Sequence, residues 1–418
     1  MTMRTLASVL VLLAALGVAG WQVSGLLADP TVWPPDDYVE YWAAGRLNLD
    51  GTNPYLKSNL WPLQVAAGRK LDAVDDAVMM WNPPWTLAVV MPLGALPARV
   101  GQFVWLFVGA AAVGLSAWLL WKRYGGNAEK PWVAFAVGFA FLPTLFGLQV
   151  GQISGLMLLG VALFGYCLHT GKPFLAGAAA VLIAVKPHLV YLLWPAILID
   201  AIVSRRWRII LGGVATAAVA IAIPMAFNPD VWAHYFNAYK VHPPAEHVSL
   251  TLGILLRVLF GQDQFWLQFL PMTLGFAWFA WHRWTFRAGW NLAEHLPMLV
   301  LVSFVTAPYG AWHFDLVLLL VPLIQRAAEF SNRPWDERTS RTTFAFLGMN
   351  AVMALMCAVG VWSWHFAWVA PAVFAGYVVA GRPDRCLVSP PRQQGAWGVA
   401  RSVTPGPAGG PPLAGAAG

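Results

Sequence analysis

The chain has 418 residues, 59% of them hydrophobic and only 11% charged, with a formal net charge of +7 and a mean hydropathy of +0.60. A soluble domain carries about a quarter charged residues, so the composition excludes an ordinary water-soluble protein and predicts an all-α polytopic membrane protein. The positive excess gathers in short clusters without an RNA-binding pattern around them, which fits cytoplasmic loop bias and predicts no nucleic-acid partner.

Arg4 followed by an apolar stretch over 6–27 reads as a retained signal anchor with its N-terminus inside. A polar stretch, 28–81, then lies outside. The segment 83–97 is short and bounded by prolines, and reads as a re-entrant or tilted half-helix that does not cross. A span over 101–121 returns the chain to Lys122, Arg123 and Lys130. Spans over 132–148, 153–169, 174–185 and 189–203 lead to Arg205, Arg206 and Arg208. A span over 209–227 leads out to a polar loop, 228–249. Spans over 265–281, 296–306 and 316–324 bring the chain to the basic loop 326–341. Two last spans flank residues 362–365, and Arg382 and Arg385 open the tail.

With every basic cluster inside, the parity gives about twelve transmembrane helices, a long first extracytoplasmic loop and both termini in the cytoplasm of a plasma-membrane protein. Residues 1–385 read as a single transmembrane domain. The tail 386–418, rich in Gly, Pro and Ala, reads as disordered.

Cys167, Cys357 and Cys386 are too few and too scattered for a disulfide framework or a metal site. No phosphate-binding glycine loop, zinc motif or nucleophile elbow occurs. No metal ligand set or cofactor is therefore expected, nucleotide hydrolysis is disfavoured, and divalent-metal dependence stays open. Twenty-four tryptophans suit membrane-interface belts and also stacking on sugars.

The threading puts four polar clusters on one outer face: 36–55, 149–154, 186–188 and 309–315. In the first, Tyr38, Tyr41, Trp42 and Gly45 recur at helical spacing, which sets Asp36 or Asp37 at a helix N-cap. Those aspartates either cap and solvate an interfacial helix or carry chemistry. Gln149 to Ser154 either cap helix ends or belong to a site. Lys186-Pro187-His188 is sharper, because a lysine between two apolar segments is costly in lipid and proline frees backbone N–H groups beside it. Its bland reading is a snorkelling lysine. His313 and Asp315 bring an imidazole and an acid to the outer end of a span, as caps or as site residues.

The ordered set Asp37-Tyr38-x-x-Tyr41-Trp42-Ala43-Ala44-Gly45-Arg46, Gly51-x-Asn53-Pro54-Tyr55, Asn82-Pro83-Pro84 with Pro92 and Leu96-Pro97, Gly151-Gln152, Ala176-Gly177 before Lys186-Pro187, and Pro308-Tyr309 through Asp315-Leu316 resembles glycosyltransferase family 87 of the GT-C class. The resemblance covers residues 37–322. It implies a GT-C-like bundle and an α-mannosyltransferase-like hexosyltransferase of the cell envelope. The donor would be a polyprenyl-phosphate sugar, commonly of mannose, and the acceptor a lipid or glycan. The family's catalytic aspartate falls on Asp37, and Asp36 beside it leaves the choice between the two acids open. Lys186, His188, Arg46, Gln152, Tyr41, Trp42, Tyr309, His313 and Asp315 are the expected donor phosphate and sugar contacts.

The residue chemistry agrees with that resemblance. A carboxylate suits deprotonation of an attacking hydroxyl, and Lys186, His188 or Arg46 suits the charge on a leaving phosphate. A transporter or flippase for a lipid-linked glycan is the alternative from another class. Such proteins tend to show two related halves, and none is visible here. A non-catalytic assembly partner would fit if Asp36 and Asp37 were dispensable together.

Overall fold

The computed structural model describes residue 29 and residues 33–241 and 248–379. The expected first span, the basic residues Arg4, Arg382 and Arg385, Cys386 and the tail 386–418 lie outside the described residues.

Among the described residues every regular element is helical. Helices α1 (Tyr38–Leu49), α2 (Lys57–Ala66) and α3 (Leu87–Gly94) precede the long α4 (Ala98–Arg123). With its lead-in turn Pro84–Thr86, α3 is about 16 Å long at 1.5 Å per residue, far short of the roughly 30 Å hydrocarbon core. That length suits the non-crossing reading of 83–97.

Among the described residues three helices are long and apolar enough to cross a membrane: α4, α10 (Trp207–Phe227) and α16 (Glu337–Ala358). The expected span over 132–148 is instead a broken pair, α5 (Trp132–Ala140) and α6 (Leu142–Val150), bent by 67°. Phe141 between them is extended and Pro143 sits in the first turn of α6. A proline starts a helix readily but cannot continue one. Counting the pair as one span gives four among the described residues, where the sequence predicts about twelve for the whole chain, the first of them over 6–27 outside those residues.

The remaining spans of the sequence reading are shorter helices: α7 (Ser154–His169), α8 (Pro173–Ile183), α9 (Leu193–Val203), α13 (Leu270–Thr285), α14 (Leu292–Val305), α15 (Leu320–Ser331) and α17 (Val369–Val379). Single 3-10 turns lead into α9, α13, α15 and α17, and hydropathy does not register such breaks. The loop 228–249 also holds a helix, α11 (Val231–Val241), and α12 (Leu252–Phe260) follows it. Thr251 caps α12, its hydroxyl accepting from the Ile254 N–H at 3.2 Å.

Two cores organise these pieces. The larger runs through α4 to α9, α14, α15 and α17. The smaller encloses α1 to α3 and reaches α4 at Trp105 and α7 at Leu156. Around the long helices the apolar surface faces outward: Phe107, Leu211, Val214, Phe344 and Leu355 are 60–72% exposed. Apolar surface on that scale is unfavourable in water and suits a lipid surround. At one end of the bundle the two basic loops meet. The Asn127 N–H donates to the Ser331 hydroxyl at 2.9 Å, and the Asn332 amide donates to the Gly125 carbonyl at 2.8 Å.

Candidate active site

Helix α1 is pinned along its length. Its glycine, Gly45, lies against α3, where an added Cβ would stand 2.8 Å from the Val90 carbonyl oxygen. Gly94 lies tighter still against the Arg46 backbone. Tyr38 donates to the Ala98 carbonyl at 3.0 Å and Trp42 to the Leu96 carbonyl at 2.9 Å. These bonds fix α1 to the joint between α3 and α4. Trp42 is thereby committed to packing and does not join the polar cluster.

Asp37 occupies the N-cap position of α1, yet its side chain makes no capping bond. The carboxylate turns instead to Gln152, whose amide donates to it at 2.8 Å. One turn along the same face, Glu40 lies 3.5 Å from that amide nitrogen, and the Tyr41 hydroxyl donates to the Gln152 amide oxygen at 2.8 Å. Gln152 reaches this position because α6 ends on Gly151 in the left-handed conformation, φ +79°. A side chain there would run into Tyr38. Trp105 holds the same joint by donating to the Gly151 carbonyl at 2.7 Å.

Asp36 follows a different course. It is exposed, and Arg69 approaches it at 3.3 Å. The two adjacent aspartates therefore face separate surroundings.

Behind this cluster stands a buried ion pair. Pro187 disfavours a helical Lys186, and the chain opens there; Asn82 and Trp85 take up the freed carbonyls of Val185 and Ala184 at 3.1 and 3.3 Å. The Lys186 ammonium then meets both carboxylate oxygens of Asp315, at 2.8 and 3.0 Å. Asp315 is fully buried and also accepts from the Trp312 N–H at 3.0 Å and from the Ser154 hydroxyl. A buried charge needs partners of this kind. Lys186, expected to await a phosphate, is already charge-matched.

The electrostatics follow from burial. Burial pushes the Asp37 carboxyl above its ordinary range, the Gln152 hydrogen bond pulls it back, and neighbouring Asp36 pushes it up again. Glu40 is pushed up to about 8, by burial first and by the charge of Asp37 second. Burial and then Lys186 hold the His188 imidazole down at about 4, so His188 is neutral near pH 7 and is no cation for a phosphate. His188 stacks on Tyr309 at 5.0 Å. His313 packs edge-on against Phe146 at 5.0 Å, and burial lowers its pKa.

Asp37, Gln152, Tyr41, Lys186 and Asp315 are thus neighbours, with His188, Tyr309 and His313 on segments beside them. Arg46 is not among them. It pairs with Asp50 at 3.2 Å near the far end of α1, half exposed. The sequence reading passed over Glu40 and Ser154. Glu40 was legible as the acid one helical turn after Asp37, whereas Ser154 gave no signal beyond its polar cluster.

The sequence pattern of glycosyltransferase family 87 matches residues 81–308, more than half of the chain. The chain belongs to glycosyltransferase family 87. Gln152, Lys186 and His188 of this family 87 member lie within the matched stretch, while Asp37 and Asp315 lie outside it. No curated protein matches the chain. Among solved structures, ArnT from Cupriavidus metallidurans in the apo state shares 16% identity with it, covering 87% of this chain and 76% of that one, at a TM-score of 0.40. ArnT from the same organism bound to undecaprenyl phosphate shares 14%, covering 86% and 76%, also at 0.40. At that score the likeness carries no argument. Family 87 membership makes the chain a glycosyltransferase; the roles of its residues rest on the geometry above.

Proposed function

We propose that the chain moves a hexosyl group, mannosyl in the first instance, from a polyprenyl-phosphate sugar to a lipid or glycan acceptor, with Asp37 as general base. The acceptor hydroxyl oxygen bonds to the anomeric carbon as the bond from that carbon to the phosphate oxygen breaks. The bonding pair leaves with the polyprenyl phosphate, and the hydroxyl proton passes to Asp37. One displacement inverts the anomeric configuration. The reading sets the site on the extracytoplasmic face of the plasma membrane, within a bundle of about twelve crossings.

The observation that carries this reading is the state of the Asp37 carboxylate. It is half buried, released from capping its own helix, and oriented by a neutral amide rather than tied up in an ion pair. A base must be free to take a proton, and such a carboxylate is. Burial raises its pKa and so strengthens it as a base, while the Gln152 hydrogen bond and, more weakly, the charges of Arg69 and Lys186 favour the anionic form that the reaction requires. Gln152 and Tyr41 position the base.

The test is a membrane assay with radiolabelled polyprenyl-phosphate sugars, resolving lipid and glycan products. Label should move with wild-type membranes and not with Asp37→Asn. Transfer by the variant at the wild-type rate would end the assignment.

A further inference from the structure

Beside Asp37 lies a cavity of about 460 Å³. Three segments converge on it: the entry to α1 with Trp33 and Asp36, the chain after α2 with Arg69 and Lys70, and the end of α6 with Gln149 and Val150. Its charges are two cations and one carboxylate, an excess of one positive charge. Arg69 is close enough for its charge to act on Asp37. Its buried Nη1 meets Asp36 at 3.3 Å but makes no hydrogen bond. A guanidinium presents five N–H donors in a planar fork suited to phosphate oxygens. The indole of Trp33 and the side chain of Val150 give the same cavity apolar walls.

The expected phosphate ligand compares poorly. Lys186 already spends its charge on Asp315, so an anion arriving there meets no net positive charge and a buried carboxylate. Arg69 and Lys70 leave one positive charge unmatched by the cavity's own carboxylate, Asp36.

We infer that this cavity binds the phosphodiester of the donor lipid, with Arg69 and Lys70 as its anion-holding pair. The inference rests on the lipid-donor reading above. When the sugar leaves, the phosphate passes from one negative charge to two, and the pair stabilises the charge that develops. Apolar walls next to cations suit a phosphate that carries a prenyl chain, whereas inorganic phosphate would need only the cations.

The experiment uses the full chain in lipid nanodiscs and measures binding of undecaprenyl phosphate, with inorganic phosphate as competitor. Arg69→Gln with Lys70→Gln should weaken lipid binding at least about tenfold, and Asp37→Asn should bind normally without transferring sugar. Lys70→Gln alone, at an exposed position, should still weaken it if the double variant fails to fold. Wild-type affinity in folded Arg69→Gln/Lys70→Gln overturns the inference and leaves the lipid-donor reading standing. Equal loss of binding in folded Lys186→Met also overturns it, by moving the phosphate to that site. Wild-type protein that holds inorganic phosphate but no polyprenyl phosphate sinks the inference and the donor reading together.

Discussion

The carboxylate of Asp37 and the amide of Gln152, 115 positions apart, meet at 2.8 Å, although Asp37 stands where a helix-capping bond would be expected. Asp37→Asn keeps an oxygen to accept from Gln152 and loses no cap. Stability should change little, while loss of the base should slow transfer by about a hundredfold to ten-thousandfold. Asp36→Asn, which breaks only a half-exposed contact with Arg69, should cost far less. Rates from labelled donor decide the matter. Activity in both single variants and in the double would remove the carboxylate mechanism from this loop.

Gln152→Ala should change the pH profile more than the fold. The Gln152 hydrogen bond lowers the Asp37 pKa, so removing it raises that pKa. A base works only when deprotonated, and activity falls as pH drops through its pKa. The acidic limb of the kcat profile should therefore move to higher pH. A limb that stays put would separate Gln152 from the base.

Glu40 makes stability fall with rising pH. Its ordinary value of 4.5 is raised to about 8 in the folded protein, so between these values the folded state binds more protons than the unfolded one. The stabilisation is complete below pH about 4.5 and lost as pH climbs through about 8. Thermal melting in detergent across that window should show a declining Tm, and Glu40→Gln should flatten the decline. A Tm that rises over the same range in the wild type would contradict the burial argument.

Lys186→Met should destabilise the protein as well as the reaction. It leaves the fully buried Asp315 with only the Ser154 hydroxyl and the Trp312 N–H. Removing one partner of a buried pair costs about 3–5 kcal/mol. Adding Asp315→Asn should restore most of the loss, because no charge is then stranded. Denaturant or thermal curves of the two single variants and the double give the coupling energy; additive losses would mean that the pair is not coupled.

Orientation is open to cysteine labelling. Thr52 and Glu129 are both exposed, the first beside α1 and the second in the loop whose Asn127 contacts Ser331. An impermeant maleimide added to intact cells should reach Thr52→Cys and miss Glu129→Cys. The reverse result would invert the protein in the membrane.

Composition and long apolar runs made the membrane class legible, and Pro187 marks a break the sequence shows, whereas the break at Pro143 was hidden within one apolar run. Hydropathy could not divide 265–281 or 316–324 into a 3-10 turn and a helix, because an averaged hydropathy does not register the number of residues per turn. Charge in an apolar setting singled out Lys186, and the family resemblance singled out Asp37, but neither showed their partners. Gln152 and Asp315 were expected to touch the donor, yet packing brings them across more than a hundred positions to Asp37 and Lys186 instead. Arg69 carried no signal at all. Its significance comes from a cavity formed by three segments, which no local window contains.

Gly151 supplies none of the reacting atoms, yet its left-handed backbone aims Gln152 at Asp37. An alanine there would cost about 1–2 kcal/mol for the backbone alone and would push on Tyr38 besides. A mutational scan scored on turnover should thus find a second hot position with no functional group whatsoever. Its variants would be expressed, inserted and able to hold lipid, and still be slow, since a displacement of about 1 Å can cost a hundredfold in rate. The aim of Gln152 at the proposed base is inherited from a bend in the chain, and drift at that bend would go unseen by any survey of charged side chains.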